Sequence, residues 1–263
     1  MFKTCYGIKN FNFGLPSLTN GQEMFNECEE MVSFTSDLSS VTNCKEMFYN
    51  CGKLENFNAS LASITDMSEM FDTNVSRTLK TFDSNLEKLQ SGDYLFRSFN
   101  SLEKFNANLK SITSGEGMFC DCTNLATFNS DLSSLENGSK MFAKCEKLTP
   151  FICDLGSLTN GEEMFYRCSV LTTFASDLSS LTNGGWMFYE CSALNSFTSK
   201  LISPETNKSS LTNSAGMFYN CTSLMEFNHD LSSLESGNYM FSGCTALTSF
   251  NSDFGSSTRA DGT

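Results

Sequence analysis

The chain has 263 residues, 40% hydrophobic and 18% charged, and its 30 Asp plus Glu against 17 Lys plus Arg give a formal charge of −13. That balance repels a polyphosphate backbone, which excludes nucleic acid as a partner. No apolar run approaches the roughly 20 residues of a membrane helix, so this segment is not expected to insert into a bilayer.

Read from the start, the chain repeats itself. Met-Phe pairs occur at Met1-Phe2, Met24-Phe25, Met47-Phe48, Met70-Phe71, Met118-Phe119, Met141-Phe142, Met164-Phe165, Met187-Phe188, Met217-Phe218 and Met240-Phe241, with Leu95-Phe96 standing in once. The eleven units step by 23 residues except from Phe71 to Phe96, which is 25, and from Phe188 to Phe218, which is 30. A fixed period of this size is the signature of a solenoid, in which each coil buries its apolar face only against its neighbours. One domain over 1–254 is expected, with insertions near 73–77 and 202–208 and a tail or linker at 255–263. Met1 is itself the Met of a repeat, so no signal peptide is read here and the chain looks like a fragment or an internal region.

Within a unit, with the Phe of Met-Phe as position zero, apolar residues recur at plus 3, 6, 9, 13, 16 and 22, as in Cys122, Leu125, Phe128, Leu132, Leu135 and Met141 after Phe119. Neither a 3.6 nor a 2.0 period holds throughout, so each unit combines short pieces of different structure. Gly-x-x-Met-Phe-x-x-Cys, as in Gly161 to Cys168, predicts one helical or 3-10 turn. Stretches such as Phe128 to Asp131 predict a short parallel strand, with plus 9 and the small plus 11 residue facing in and plus 10 facing out. Asp or Asn at plus 12, such as Asp37 or Asn108, predicts a turn capped by backbone amides two residues on.

Met-Phe-x-x-Cys-x-x-Leu-x-x-Phe preceded by Gly resembles the BspA-like leucine-rich repeats, also described from treponemal membrane proteins. The stretch from Ser63 to Phe71 resembles the related repeat of mycoplasma surface lipoproteins. The likeness covers essentially the whole chain and implies a leucine-rich-repeat-like solenoid at a cell surface or in a secreted protein, engaged in adhesion or host binding. Asp-Leu-Ser-Ser stands where the family has Ile-Pro, so the turn after the strand is expected to differ.

Cys5, Cys28, Cys51, Cys122, Cys145, Cys168, Cys191, Cys221 and Cys244 hold plus 3, where Asn74 and Phe99 stand in the other two units. A slot that accepts Asn and Phe reads as a row of buried thiols acting as small hydrophobes rather than as a metal or disulfide ladder. Cys44 replaces the turn glycine, Cys153 fills the small slot, and the Cys120-x-Cys122 pair is the weaker metal or redox candidate. Asp131, Asp154 and Asp177 in consecutive coils read as turn caps first, with calcium as the lesser alternative and no other cofactor expected. His229 lacks any nucleophile motif around it, so no catalytic residues are assigned and the chain is not read as an enzyme.

Binding is expected on what varies. The outward strand positions make a polar strip that includes Asn58, Asn106, Asn129, Thr173, Thr198, Asn228 and Asn251, without an aromatic cluster on it. Such a face suits an extracellular protein or glycan ligand held by many weak contacts. The alternative is a structural rod or spacer in a surface layer, fibre or phage appendage, self-associating through the solenoid ends.

Overall fold

A computed structural model describes residues 1–71 and 78–254. The insertion near 73–77, Asn74 and the tail at 255–263 lie outside the described residues. Among the described residues, ten two-residue strands follow one another in chain order: β1 (Asn10–Phe11), β2 (Ser33–Phe34), β3 (Asn56–Phe57), β4 (Thr81–Phe82), β5 (Lys104–Phe105), β6 (Thr127–Phe128), β7 (Thr173–Phe174), β8 (Ser196–Phe197), β9 (Glu226–Phe227) and β10 (Ser249–Phe250). Every pairing is parallel and joins equivalent positions of successive coils, as in Phe11↔Phe34 and Phe105↔Phe128.

The strand ladder is broken in three places, leaving the groups β1-β2-β3, β4-β5-β6, β7-β8 and β9-β10. The first and third breaks fall at the 25- and 30-residue steps. The second falls where Pro150 occupies the strand position between β6 and β7, because proline has no N–H to give to the ladder. In the longer insertion, Ile202 and Ser209 form an antiparallel bridge, closing residues 203–208 into a small projecting loop.

The expected helical or 3-10 turn is not there: among the described residues no helix of either kind occurs. In the coil of Phe25, the N–H groups of Met24, Asn26 and Cys28 donate three residues back, to the carbonyls of Gly21, Glu23 and Phe25, at 3.0, 3.2 and 3.1 Å. The intervening N–H groups of Gly21, Glu23, Phe25 and Glu27 instead donate to Asn43, Lys45, Met47 and Tyr49 of the next coil, at 2.8, 3.0, 2.9 and 2.7 Å. Glu23 and Glu27 sit at φ 52° and 61°, and pairs such as Lys140 and Lys144 or Glu163 and Arg167 repeat the pattern. A left-handed residue every fourth position turns the chain each time and sends alternate N–H groups along the solenoid axis, where a helix would keep them for itself. The three- and four-residue spacing of Met, Phe and Cys is therefore met by successive β-turns, and stacking supplies the bonds that offset the left-handed conformations.

One hydrophobic cluster runs through the stack, from Phe11 to Met240. Phenylalanines at position zero form one ladder, with Phe96, Phe119 and Phe142 stacked at 5.5 Å between centroids. The strand phenylalanines, at plus 9 or, for Phe82 after the longer step, plus 11, form a second, with Phe82, Phe105 and Phe128 at 5.8 and 5.5 Å. The ladders meet edge to face across the core, as Phe105 meets Phe119 at 4.8 Å. Each buried ring contributes about 1.5–3 kcal/mol by burial.

The glycine before Met-Phe has a different role from the one expected. Gly21, Gly92, Gly115, Gly138, Gly161 and Gly184 do not adopt positive φ, but a Cβ on Gly138 would lie 3.1 Å from the Met164 sulfur. These glycines admit the methionine of the next coil. Where Cys44 replaces one of them, its thiol is buried and contacts the Asp66 carbonyl at 3.5 Å.

Candidate functional site

Asn58, Asn106, Asn129, Thr173, Thr198, Asn228 and Asn251 are all exposed on the strand side of the solenoid. They form a strip along its length rather than converging on one pocket. Asn106 and Asn129 lie in adjacent coils, as do Asn228 and Asn251, and Thr173 of β7 is one coil before Thr198. Asp83 separates Asn58 from Asn106 and accepts the Asn106 side-chain amide at 2.8 Å. Ile152, 77% exposed, interrupts the polar run.

The face is hollowed where β3 and β4 are unpaired. Glu55, Asn56, Asn58, Thr81, Asp83 and Ser84 border a depression of about 230 Å³, and Thr78, Lys80 and Ser101 extend it into a second of about 500 Å³. Sequence reasoning passed over Thr81 and Asp83, because the 25-residue step displaces them from plus 8 and plus 10; counting back from Phe96 would have found them.

The thiol row does more than fill space. Cys28, Cys51, Cys122, Cys145, Cys168, Cys191, Cys221 and Cys244 each donate to the zero-position Phe carbonyl of the preceding coil, at 3.0–3.2 Å. That carbonyl also accepts the plus 3 N–H of its own coil, as Phe119 accepts from Cys122 at 3.0 Å. The thiols therefore use the second lone pairs of carbonyls already bonded once. Among the described residues no cysteine is joined in a disulfide, and burial pushes the thiol of Cys44 up to about 12 and that of Cys153 up to about 11. These are inert, protonated groups. Cys120 is likewise pushed up to about 11, by burial and by Asp121.

Asp131, Asp154 and Asp177 accept the N–H groups of Ser133, Gly156 and Ser179 at 2.9, 3.0 and 2.9 Å. The Ser133 hydroxyl and amide hold the Asp131 carboxyl low. Asp177 is also low, since bonds from Ser179 and Lys200 outweigh its burial. Lys200, which interrupts the aspartate row, pairs with Asp177 at 3.5 Å and so relieves the repulsion the row would otherwise carry. Among the described residues no group of three or more His, Cys, Asp or Glu is gathered as a metal site. His229 is a packing residue: its ring lies edge-on to Phe197 and Phe227 at 5.2 and 4.8 Å, and Nε2 meets the Phe197 carbonyl at 3.2 Å. Burial lowers its pKa.

A second ladder escaped the sequence reading. Asn160 donates to the Asn137 side-chain oxygen at 3.0 Å, Asn183 to Asn160 at 3.1 Å, and Asn213 to Asn183 at 2.9 Å, the last across the longer insertion. Each oxygen also accepts a backbone N–H two residues on, as Asn183 does from Gly185 at 3.1 Å. The recurring Leu-Thr-Asn-Gly string was the available signal.

Stacked short parallel strands joined by turns and filled by Phe, Leu and Met define a leucine-rich parallel β-solenoid. The model of the BspA type leucine-rich repeat region matches residues 1–106, 89–208 and 182–259, and the chain belongs to that family. No curated protein matches. Similar solved structures include a leucine-rich repeat protein from Bacteroides ovatus (19% identity, 94% of this chain and 81% of that one, TM-score 0.41). Others are TLR13 in complex with ssRNA13 (14%, 94% and 40%, 0.35) and a leucine-rich cell surface protein from Faecalibacterium prausnitzii (10%, 96% and 80%, 0.29). Among the described residues no helix is long and apolar enough to cross a membrane.

Proposed function

We propose that this chain is a non-enzymatic binding and adhesion module, secreted or held at a cell surface, that presents its polar strand face to a host protein or glycan. The observation that carries this reading is the exposed strip from Asn58 to Asn251, with its concavity at Asn56, Thr81 and Asp83. Its many small hydrogen-bonding groups, repeated coil by coil, suit a repetitive ligand bound through summed weak contacts. The likeness of the repeat to those of treponemal membrane proteins and mycoplasma surface lipoproteins supports the location. Residues 1–254 act in this reading as one domain.

The test is a glycan and extracellular-matrix binding array with the 263-residue chain, with and without calcium. A hit weakened at least tenfold by Asn106→Glu, Asn129→Glu and Asn228→Glu together supports the strand face. A hit unaffected by the triple variant overturns that assignment. No hit from folded protein favours the structural rod, a reading that the two phenylalanine ladders support by stiffening every coil contact.

A further inference from the structure

The chain carries seven tyrosines and one tryptophan, and the core uses none of them, being filled by Phe. Four of these eight residues meet on the turn side of three consecutive coils. Tyr166 stacks on Tyr189 at 4.7 Å and 3°, and Tyr189 on Tyr219 at 5.0 Å and 10°. The Trp186 ring stands 5.6 Å from Tyr189 and 6.0 Å from Tyr219. The positions equivalent to these tyrosines hold Lys3, Asn26, Arg97, Cys120, Ala143 or Ser242 in other coils, so the fold does not require aromatic rings there.

Trp186 is held in a particular way. A Cβ built on Gly216, in the next coil, would lie 2.2 Å from Trp186 Cε3 and 2.3 Å from Cζ3, so the indole packs directly against that glycine. Gly216 sits at φ 60°, but so does Tyr239, at 61°, in the equivalent position one coil on. The backbone there accepts a side chain; the indole does not. Trp186 is half-buried: part of the indole rests on the next coil and part stays open to solvent. Tyr94 repeats the arrangement, its ring lying where a Cβ on Gly117 would be, 2.6 Å from Tyr94 Cε1.

Two aromatic faces on this side already carry a cation from within the chain. Arg97 lies over Tyr94 at 5.7 Å, and Arg167 lies over Tyr166 at 5.2 Å while pairing with Glu190 at 2.8 Å. Trp186, the ring type that attracts cations most strongly, carries none among the described residues. The surrounding protein has a formal charge of −13 and draws cationic partners to its surface.

We propose that the solvent-open part of Trp186, bordered by Tyr189 and Tyr219, is a docking point for a Lys or Arg side chain of a basic polypeptide segment. Tyrosine, tryptophan and arginine side by side also make the composition of a protein-binding hot spot. This surface lies on another side of the coil from the polar strand face and stands or falls independently of it.

The test uses the full chain at physiological salt and three probes: a (Gly-Arg)₄ peptide, a (Gly-Gln)₄ peptide and maltohexaose. As the sole tryptophan, Trp186 reports its own occupancy by fluorescence. The arginine peptide is expected to shift or quench the emission saturably while the other two do not. Trp186→Leu is expected to weaken binding of the arginine peptide, measured by calorimetry, by about fivefold to thirtyfold. Glu29→Gln with Glu30→Gln, charges on a remote coil, and the strand-face triple variant are expected to leave that affinity within about twofold. Unchanged emission at saturation, or equal affinity of Trp186→Leu and the parent, overturns the proposal. A response to maltohexaose alone also overturns it, in favour of a glycan.

Discussion

Replacing Asn160 by Ala removes three hydrogen bonds at once. Its side-chain oxygen accepts from the Glu162 N–H at 3.3 Å and from the Asn183 amide at 3.1 Å, and its own amide donates to Asn137 at 3.0 Å. At a net contribution of about 1 kcal/mol each, the expected cost is about 3 kcal/mol, trimmed where the half-buried partners regain water. Urea unfolding followed by circular dichroism and by Trp186 fluorescence reads this directly, and coincident transitions license the two-state analysis. Asn160→Asp keeps both acceptor bonds but sets a carboxylate against the Asn137 oxygen, so its smaller cost should shrink further as the pH falls below the carboxyl pKa. Asn183→Ala shares one of the three bonds, so the double variant should cost about 1 kcal/mol less than the sum of the singles. An Asn160→Ala cost under about 0.5 kcal/mol, or strict additivity with Asn183→Ala, would show that the ladder is a by-product of stacking and holds nothing together.

Two further predictions concern the core. The hydroxyls of Ser36, Ser176 and Ser199 are buried and have no hydrogen-bond partner among the described residues, in the slot that Ala59 and Ala107 fill elsewhere. Ser199→Ala should therefore raise stability by about 1 kcal/mol, and a loss instead would mean the hydroxyl is satisfied in solution. The buried thiols make the fold sensitive to alkali. The unfolded chain ionises Cys44 near 9, whereas the folded one holds its proton to about 12, so this contribution is whole below pH 9 and is lost as the pH climbs towards 12. The loss is roughly 1.4 kcal/mol per pH unit for such a thiol. Urea midpoints measured from pH 8 to 11 should fall, and Cys44→Ala should flatten that slope; a slope unchanged by the substitution would refute the linkage.

Much of this architecture was legible because a repeat reports on itself eleven times. The plus 9 phenylalanine and small plus 11 residue marked the strand by their in-out alternation, and the Asp or Asn at plus 12 marked its amide-capped turn because that bond spans only two residues. The helical turn was misread because Met, Phe and Cys at three- and four-residue spacing fit one face of a helix and a run of β-turns equally well. The choice between them lies in alternate N–H groups finding carbonyls one coil away, a contact about 22 residues distant that no local pattern encodes. The same reason hid the asparagine ladder, whose bonds exist only after Asn137, Asn160, Asn183 and Asn213 are stacked.

The candidate surfaces divide along the same line. Alternation within a strand was enough to turn Asn106 and Asn129 outward, whereas the hollow at Thr81 and Asp83 needed the unpaired β3 and β4 to be set side by side. Composition alone showed one tryptophan and seven tyrosines without saying that four of them would meet. Periodicity determined what lies inside this protein, since burial repeats with the chain. Which outward side chains become neighbours was decided by the stacking of coils, because only that brings Trp186 against Gly216.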